Sequence, residues 1–193
     1  MSGKREINGK DDSPLPASAF AGDVVPLRRT KASCFLLPDV DRAREACLRL
    51  LGYRARSRRE LAERLERKGF AQPVIASVIA GLESSGLVND EEFARSWVQE
   101  RLANRPRGSL VVRLELRRKG VDEGIIQRAL DQHMGEEQEL EAALRVAARY
   151  APRPGEDAPA CRKRLWGALK RRGFTFDAIE AALARARQGD TVA

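Results

Sequence analysis

The chain has 193 residues, 42% of them hydrophobic and 33% charged, which is enough for one or two ordinary soluble domains. No stretch approaches the roughly 18 uninterrupted apolar residues of a membrane span, and the charged start MSGKREINGKDD lacks the apolar segment of a secretory signal, so a cytoplasmic location is expected. Thirty-six Lys and Arg against 28 Asp and Glu leave a net charge of +8, a balance that favours a polyanion or an acidic protein face as partner. Cys34, Cys47 and Cys161 lie far apart with no CxxC pair, which argues against a disulfide framework or a cysteine-rich zinc site.

Residues 1–40 carry Pro14, Pro16, Pro26 and Pro38 and no sustained periodicity, so they are expected to form a mostly disordered tail of mixed, basic character. The apolar patch Phe35, Leu36 and Leu37 is expected to dock on the folded part, and Arg28, Arg29 and Lys31 are weaker candidates for contact with a polyanion. From Asp41 onward apolar residues recur at helical spacing, and glycines fall where helices should stop.

A repeat organises this region. A dibasic pair followed by Gly and an apolar residue occurs as RKGF at Arg67, RKGV at Arg118 and RRGF at Arg171, placing glycines at 69, 120 and 173, spaced 51 and then 53 residues apart. Eight residues before each glycine stand Leu61, Val112 and Leu165; four before, Leu65, Leu116 and Leu169. Six residues after stand Ile75, Ile126 and Ile179, then Val78, Ala129 and Ala182 at nine and Ile79, Leu130 and Leu183 at ten. Two amphipathic helices per unit, joined at a glycine in left-handed conformation, account for these columns.

A leading helix completes each unit. The first is expected over Asp41 to Gly52, with Ala46, Cys47, Leu50 and Leu51 apolar, so Cys47 reads as a core residue. The second starts at Asn89 with Glu92 as capping-box partner and buries Phe93, Ala94, Trp97 and Val98. The third covers Glu136 to Ala151, with Leu140, Leu144, Ala147 and Ala148 inward and Glu136, Glu137, Glu139 and Glu141 favoured by the helix dipole. Ser57 with Glu60 forms another capping box, and Asp122 and Thr175 cap the helices that follow two of the corners.

The predicted fold is all-α: three tandem three-helix units at 41–88, 89–134 and 135–188, forming an elongated, curved array with a disordered C-terminus at 189–193. The segment Ala151 to Pro159, rich in proline, is expected to let the third unit swing relative to the second.

Catalytic patterns are missing from the sequence. The one histidine, His133, sits at a predicted helix end; no HExxH, GxSxG, P-loop, dinucleotide fingerprint or calcium loop occurs, and no cofactor or metal is expected. Glu60 with Arg64, Glu63 with Arg67, and Glu115 with Lys119 have the spacing of helix-surface ion pairs, each worth only about 0.2–0.5 kcal/mol. A non-enzyme is expected.

Positive charge concentrates at the two ends of the array. Residues 41–88 hold ten basic and six acidic residues, against nine and eight for 89–134. Arg54, Arg56, Arg58, Arg59, Arg64, Arg67 and Lys68 crowd the first unit, and Arg118 and Lys119 precede the second corner. In the third unit Lys163, Arg164, Lys170 and Arg171 are expected to form an outward basic face, with Trp166 at the core border as an interface anchor. Gly69, Gly120 and Gly173 are read as structural corners, and the residues named before them as candidate partner contacts.

The segments ARSRRELAERLERKGF at 55–70, GLVNDEEFARSWVQER at 86–101, ELRRKGV at 115–121 and RLWGALKRRGF at 164–174 resemble the bacterial regulatory protein RecX family over about residues 41–187. Asn89 stands where the family carries an acid and preserves the cap; Val121 replaces an aromatic, and the tail and the 151–159 linker depart from the pattern. The resemblance implies a non-enzymatic modulator of the recombinase RecA. Such a protein binds the filament that RecA forms on single-stranded DNA, lies in its groove, and dampens ATP hydrolysis, strand exchange and stimulation of repressor self-cleavage; this chain is expected to be monomeric. Weak direct contact with DNA phosphates is an additional implication. The alternatives are a DNA-binding regulator built from tandem three-helix modules and a helical adaptor for another protein.

Overall fold

The structure, a computed structural model, describes residues 31–150 and 153–187, with side chains described from residue 38 to residue 186. The expectations for the tail before residue 31, for docking by Phe35, Leu36 and Leu37, for polyanion contact by Arg28, Arg29 and Lys31, and for residues 189–193 fall outside this description. Among the described residues there are nine helices and no strand: α1 (Lys31–Tyr53), α2 (Arg58–Glu66), α3 (Gln72–Ser84), α4 (Asp90–Ala103), α5 (Ser109–Arg118), α6 (Glu123–His133), α7 (Glu136–Ala147), α8 (Ala158–Arg171) and α9 (Phe176–Arg187).

Each consecutive triplet builds its own core. Ala43, Ala46 and Cys47 of α1 meet Leu61 and Leu65 of α2 and Val74, Ile75, Val78, Ile79 and Leu82 of α3. The second core gathers Phe93, Val98, Val112, Leu116, Ile126 and Leu130 among others, and the third Val146, Leu165, Leu169, Phe174, Ile179 and Leu183. Every apolar residue of the five repeated columns is at most 6% exposed. Burial also pushes the Cys47 thiol up from its ordinary pKa, in keeping with a packing role.

The three corners share one geometry. Gly69, Gly120 and Gly173 have φ of 84°, 77° and 77°. In each, the N–H of the following residue returns to the carbonyl of the column leucine: Phe70 to Leu65 at 3.3 Å, Val121 to Leu116 at 3.2 Å and Phe174 to Leu169 at 3.4 Å. This is the Schellman closure, which satisfies carbonyls that the helix end would otherwise leave open. Ser57 and Glu60 form the expected capping box, Asn89 accepts from the backbone N–H groups of Glu91 and Glu92, Asp122 from Gly124, and Thr175 Oγ1 from Ala178. The expected capping box at Asn89 is corrected, since the Glu92 side chain accepts from Arg95 and Ser96 instead of returning to Asn89.

Three further expectations are corrected. Helix α1 begins at Lys31 rather than Asp41 and passes through Pro38. A proline inside a helix forfeits one backbone hydrogen bond, and packing of Val40 and Ala43 just beyond it on the first core favours continuing the helix. Helix α7 is rotated from the expected face: Glu139, Ala142, Ala143 and Val146 are buried, Leu140, Leu144 and Ala147 only border the core, and Ala148 is exposed. The small alanines let α7 approach α9 closely, so the wide leucines go to the flanks. The 151–159 linker joins α7 to α8 inside the third unit, so it is no hinge between units two and three.

Successive units dock by a recurring device. The N-terminus of the second helix of one unit sits on the glycine corner of the next. Ser57 Oγ donates to the Lys119 carbonyl at 2.5 Å, and Gly108 N–H donates to the Arg172 carbonyl at 2.9 Å; both donors stand twelve residues before their own unit's corner glycine. The first helical N–H is then taken by a carboxylate from the next unit's leading helix: Arg58 N–H by Asp90 at 2.8 Å and Ser109 N–H by Glu139 at 2.9 Å. Helix N-termini attract negative charge, so these carboxylates act as caps supplied across the seam. Gly108 meets the corner so closely that an added Cβ would lie 2.1 Å from the Gly173 carbonyl oxygen.

Candidate functional site

The docking of unit one on unit two leaves an open groove of about 620 Å³, lined by Arg54, Arg56, Glu60, Glu63, Arg64, Arg67, Trp97, Arg101, Glu115, Arg118 and Lys119. Seven cations face three carboxylates. Helix α2 supplies one wall with residues spaced three to four apart, the α1–α2 loop adds Arg54 and Arg56, and α4 and α5 supply the other wall.

An ion-pair and cation–π network forms the floor. Glu60 accepts from Arg54 at 2.9 Å and from Lys119 Nζ at 2.9 Å. Burial alone would raise the Glu60 carboxyl, but hydrogen bonds from Arg54 and Lys119 outweigh it and bring the pKa down to about 2. Glu115 accepts from the Trp97 indole N–H at 2.8 Å and from Arg101 Nε at 2.7 Å. The Arg101 guanidinium and the Lys119 ammonium lie 4.2 and 4.3 Å from the centroid of the Trp97 ring, which stacks on Phe93.

These contacts replace the three ion pairs expected from helical spacing. Glu60 pairs with Arg54 and Lys119 rather than Arg64, Glu63 with Arg59 rather than Arg67, and Glu115 with Arg101 rather than Lys119. For Glu60 and Glu115 a largely buried cation brought from elsewhere in the fold, Lys119 or Arg101, is the stronger partner, whereas Glu63 takes an exposed cation one turn back on its own helix. As a result, Arg64 and Arg118 are exposed and have no carboxylate partner among the described residues, and Arg67 Nε donates only to the Glu63 carbonyl.

The groove thus gathers Arg54, Arg56, Arg64, Arg67, Arg118 and Lys119 from the sequence-derived candidates. Others lie elsewhere. Arg58 and Arg59 face the opposite side of the seam, beside Glu83, Asp90, Glu91 and Asp122, and exposed Lys68 sits with Arg42 and Arg49 by the first corner. In the third unit Lys163, Lys170 and Arg171 are exposed, with Lys170 lying 4.7 Å from the ring centroid of half-buried Trp166.

Arg164 departs from the expected outward face. Its side chain is 21% exposed and turns back to Glu156, donating at 2.8 and 2.7 Å, while its guanidinium lies over Tyr150. The Arg164 hydrogen bonds and the Arg153 backbone N–H hold Glu156 down to about 2. Arg101 and the polar role of Trp97 escaped the sequence reading, and Glu115 entered it only as the helical partner of Lys119. They come from α4 and α5, and no fixed spacing marks residues that only tertiary packing brings together.

Comparison with known proteins completes the picture. Models of the RecX first, second and third three-helix domains match residues 43–82, 89–130 and 136–183. The chain belongs to the RecX family. It is 39% identical over 157 residues to Regulatory protein RecX of Mycobacterium sp. (strain KMS), covering 77% of this chain and 85% of that one. Against Regulatory protein RecX of Mycolicibacterium smegmatis the identity is 36% over 156 residues, covering 77% and 83%. The crystal structure of RecX from Lactobacillus salivarius superposes with a TM-score of 0.73 at 25% identity, over 79% of this chain and 99% of that one. The matched domains coincide with the three cores, and the RecX relatives are named as regulatory proteins. Among the described residues no helix is long and apolar enough to cross a membrane.

Proposed function

We propose that this protein is a non-enzymatic regulator of the recombinase RecA, working in the cytoplasm on the filament that RecA forms on single-stranded DNA. By binding that filament it dampens ATP hydrolysis, strand exchange and coprotease action, and so the DNA-damage response. Family membership supports the partner. The observation that carries the site is the basic groove between units one and two, where Arg64 and Arg118 lack carboxylate partners among the described residues beside an ordered network that holds Arg54, Lys119 and Arg101 in place. Exposed arginines without acid partners suit bidentate contact with carboxylates, so an acidic face of the recombinase fits this groove.

The test is inhibition of RecA's ATP hydrolysis on single-stranded DNA. The parent should inhibit, with inhibition weakening as salt rises. A variant carrying Arg64→Ala, Arg67→Ala and Arg118→Ala should need about tenfold more protein for the same effect, since each arginine is exposed and contributes little to folding. A parent that leaves hydrolysis unchanged at saturating concentration would refute the proposal, and a triple variant equal to the parent would refute the groove.

A further inference from the structure

Leu110, Leu114 and Phe176 are large apolar side chains left 58%, 44% and 67% exposed. Leu110 and Leu114 are one helical turn apart on α5, and the Leu110 backbone N–H donates to the Gly173 carbonyl at 3.1 Å, which places Leu110 and Phe176 at the same seam between units two and three. The repeat shows that the architecture does not need them. Ten residues before the corner glycine, unit one has Arg59 and unit three Lys163 where unit two has Leu110; six before, Glu63 and Gly167 where unit two has Leu114. Three residues after the corner, Gln72 and Glu123 stand where unit three has Phe176. In unit one the equivalent pair simply forms the exposed Arg59–Glu63 ion pair. Solvent-facing positions that are polar or glycine in the sister units are therefore apolar at this one seam, and together they make a patch that water disfavours.

The charges around the patch indicate what covers it. At 100° per residue, Arg113, Arg117 and Arg118 share the outward side of α5 with Leu110 and Leu114. Arg113 and Arg117 share Glu123, whereas Arg118 has no acid partner among the described residues and continues into the basic groove. Asp177 is the acid next to Phe176 in sequence. An apolar strip bordered by arginines on one helix is complementary to an amphipathic helix with acidic flanks, which uses apolar anchors at one-turn spacing.

We infer that the outward face of α5 with Phe176 docks an acidic amphipathic helix of the regulated protein, the apolar anchor beside the basic groove. This rests on the RecA reading and extends its contact surface by a full unit. The experiment measures binding to RecA filaments on single-stranded DNA for the parent, for Leu110→Gln, Leu114→Gln, Phe176→Gln combined, and for Phe176→Gln alone should the triple variant fold poorly. Glutamine suits an exposed helix position and occurs naturally at the equivalent Gln72.

The triple variant is expected to bind about tenfold more weakly with unchanged helicity and melting, the single variant being affected in the same direction. Equal binding by parent and variants overturns the inference and leaves the RecA reading standing. A parent that does not bind the filament overturns both. If light scattering shows a parent dimer that the triple variant converts to monomer while filament binding is unchanged, the face is a self-interface and the assignment to a partner helix is wrong.

Discussion

The Glu139 carboxylate accepts the backbone N–H of Ser109 at 2.9 Å across the seam between units two and three. The same group accepts the Thr175 N–H at 3.1 Å and the hydroxyls of Ser109 and Thr175, so one side chain of α7 caps both α5 and α9. Glu139 is 5% exposed, yet its oxygens are surrounded by donors at two helix N-termini, where negative charge is favoured.

Glu139→Ala should therefore destabilise by about 1–3 kcal/mol, because two partly buried N–H groups at helix N-termini lose their acceptor. Glu139→Gln should lose less, since its carbonyl oxygen still accepts. Denaturant unfolding of both variants checks this, together with a broadened transition as units two and three uncouple. An alanine variant as stable as the parent, with an equally sharp transition, would show that the carboxylate contributes nothing at the seam.

The glycine corners should rank by what surrounds them. Gly69 has open space, so Gly69→Ala should cost only the positive-φ strain, about 1 kcal/mol. At Gly120 an added Cβ would meet the Arg59 side chain, its Cβ at 2.5 Å included, and at Gly173 it would meet Val111, including its backbone nitrogen at 2.6 Å, so both should cost more than Gly69, and Gly173 the most because backbone cannot swing aside. Gly108→Ala should be as damaging as Gly173→Ala. Gly167 lies within α8 with only Arg171 nearby at 3.3 Å, so Gly167→Ala should stabilise by about 0.5–1 kcal/mol. Melting temperatures of the five variants give the ranking directly, and a Gly69 cost equal to that of Gly173 would contradict it.

Acid should loosen the joint between units one and two. Glu60 titrates near 4.5 when unperturbed and near 2 in the fold. A depressed folded pKa means that its contribution is fully present above about pH 4.5 and is lost as pH falls toward 2. Thermal melts between neutral pH and the acid limb should show the parent losing stability faster than Glu60→Gln, which is already uncharged; parallel curves would argue against the Glu60 pair as a pH-linked tie.

The cations of α8 should separate into two kinds. Replacing Lys163, Lys170 and Arg171 by Ala should leave melting nearly unchanged, within about 0.5 kcal/mol, as exposed charges do. Arg164→Ala should lower it measurably, because it leaves Glu156 without its guanidinium partner and strips packing from Tyr150. If all four behaved alike, the inward reach of Arg164 would be refuted.

Much of the fold was legible in the chain. Helical periodicity and the glycine columns decide local backbone geometry, and local geometry decides which side of each helix is apolar. For this reason Leu61, Val112 and Leu165 and the four columns that follow them all reach the core, and each of the three glycines adopts positive φ. Ser57, Asn89, Asp122 and Thr175 cap as expected because capping reaches only three residues along the chain.

The limits appear where a residue's partner lies far away in sequence. Glu139 looked like one acid among four in the first turns of a helix; only the arrival of the α5 and α9 N-termini makes it a buried cap. Glu60 and Glu115 had cations at the right helical spacing, and the fold supplied others, from 59 residues away for Lys119 on Glu60. Periodicity determined three cores and their corners, because those are short-range consequences of 3.6 residues per turn. How the units dock, which arginines are held by acids and which are left facing solvent were decided by tertiary structure, since ion pairs and buried caps depend on distance in space and local burial, neither of which sequence spacing encodes.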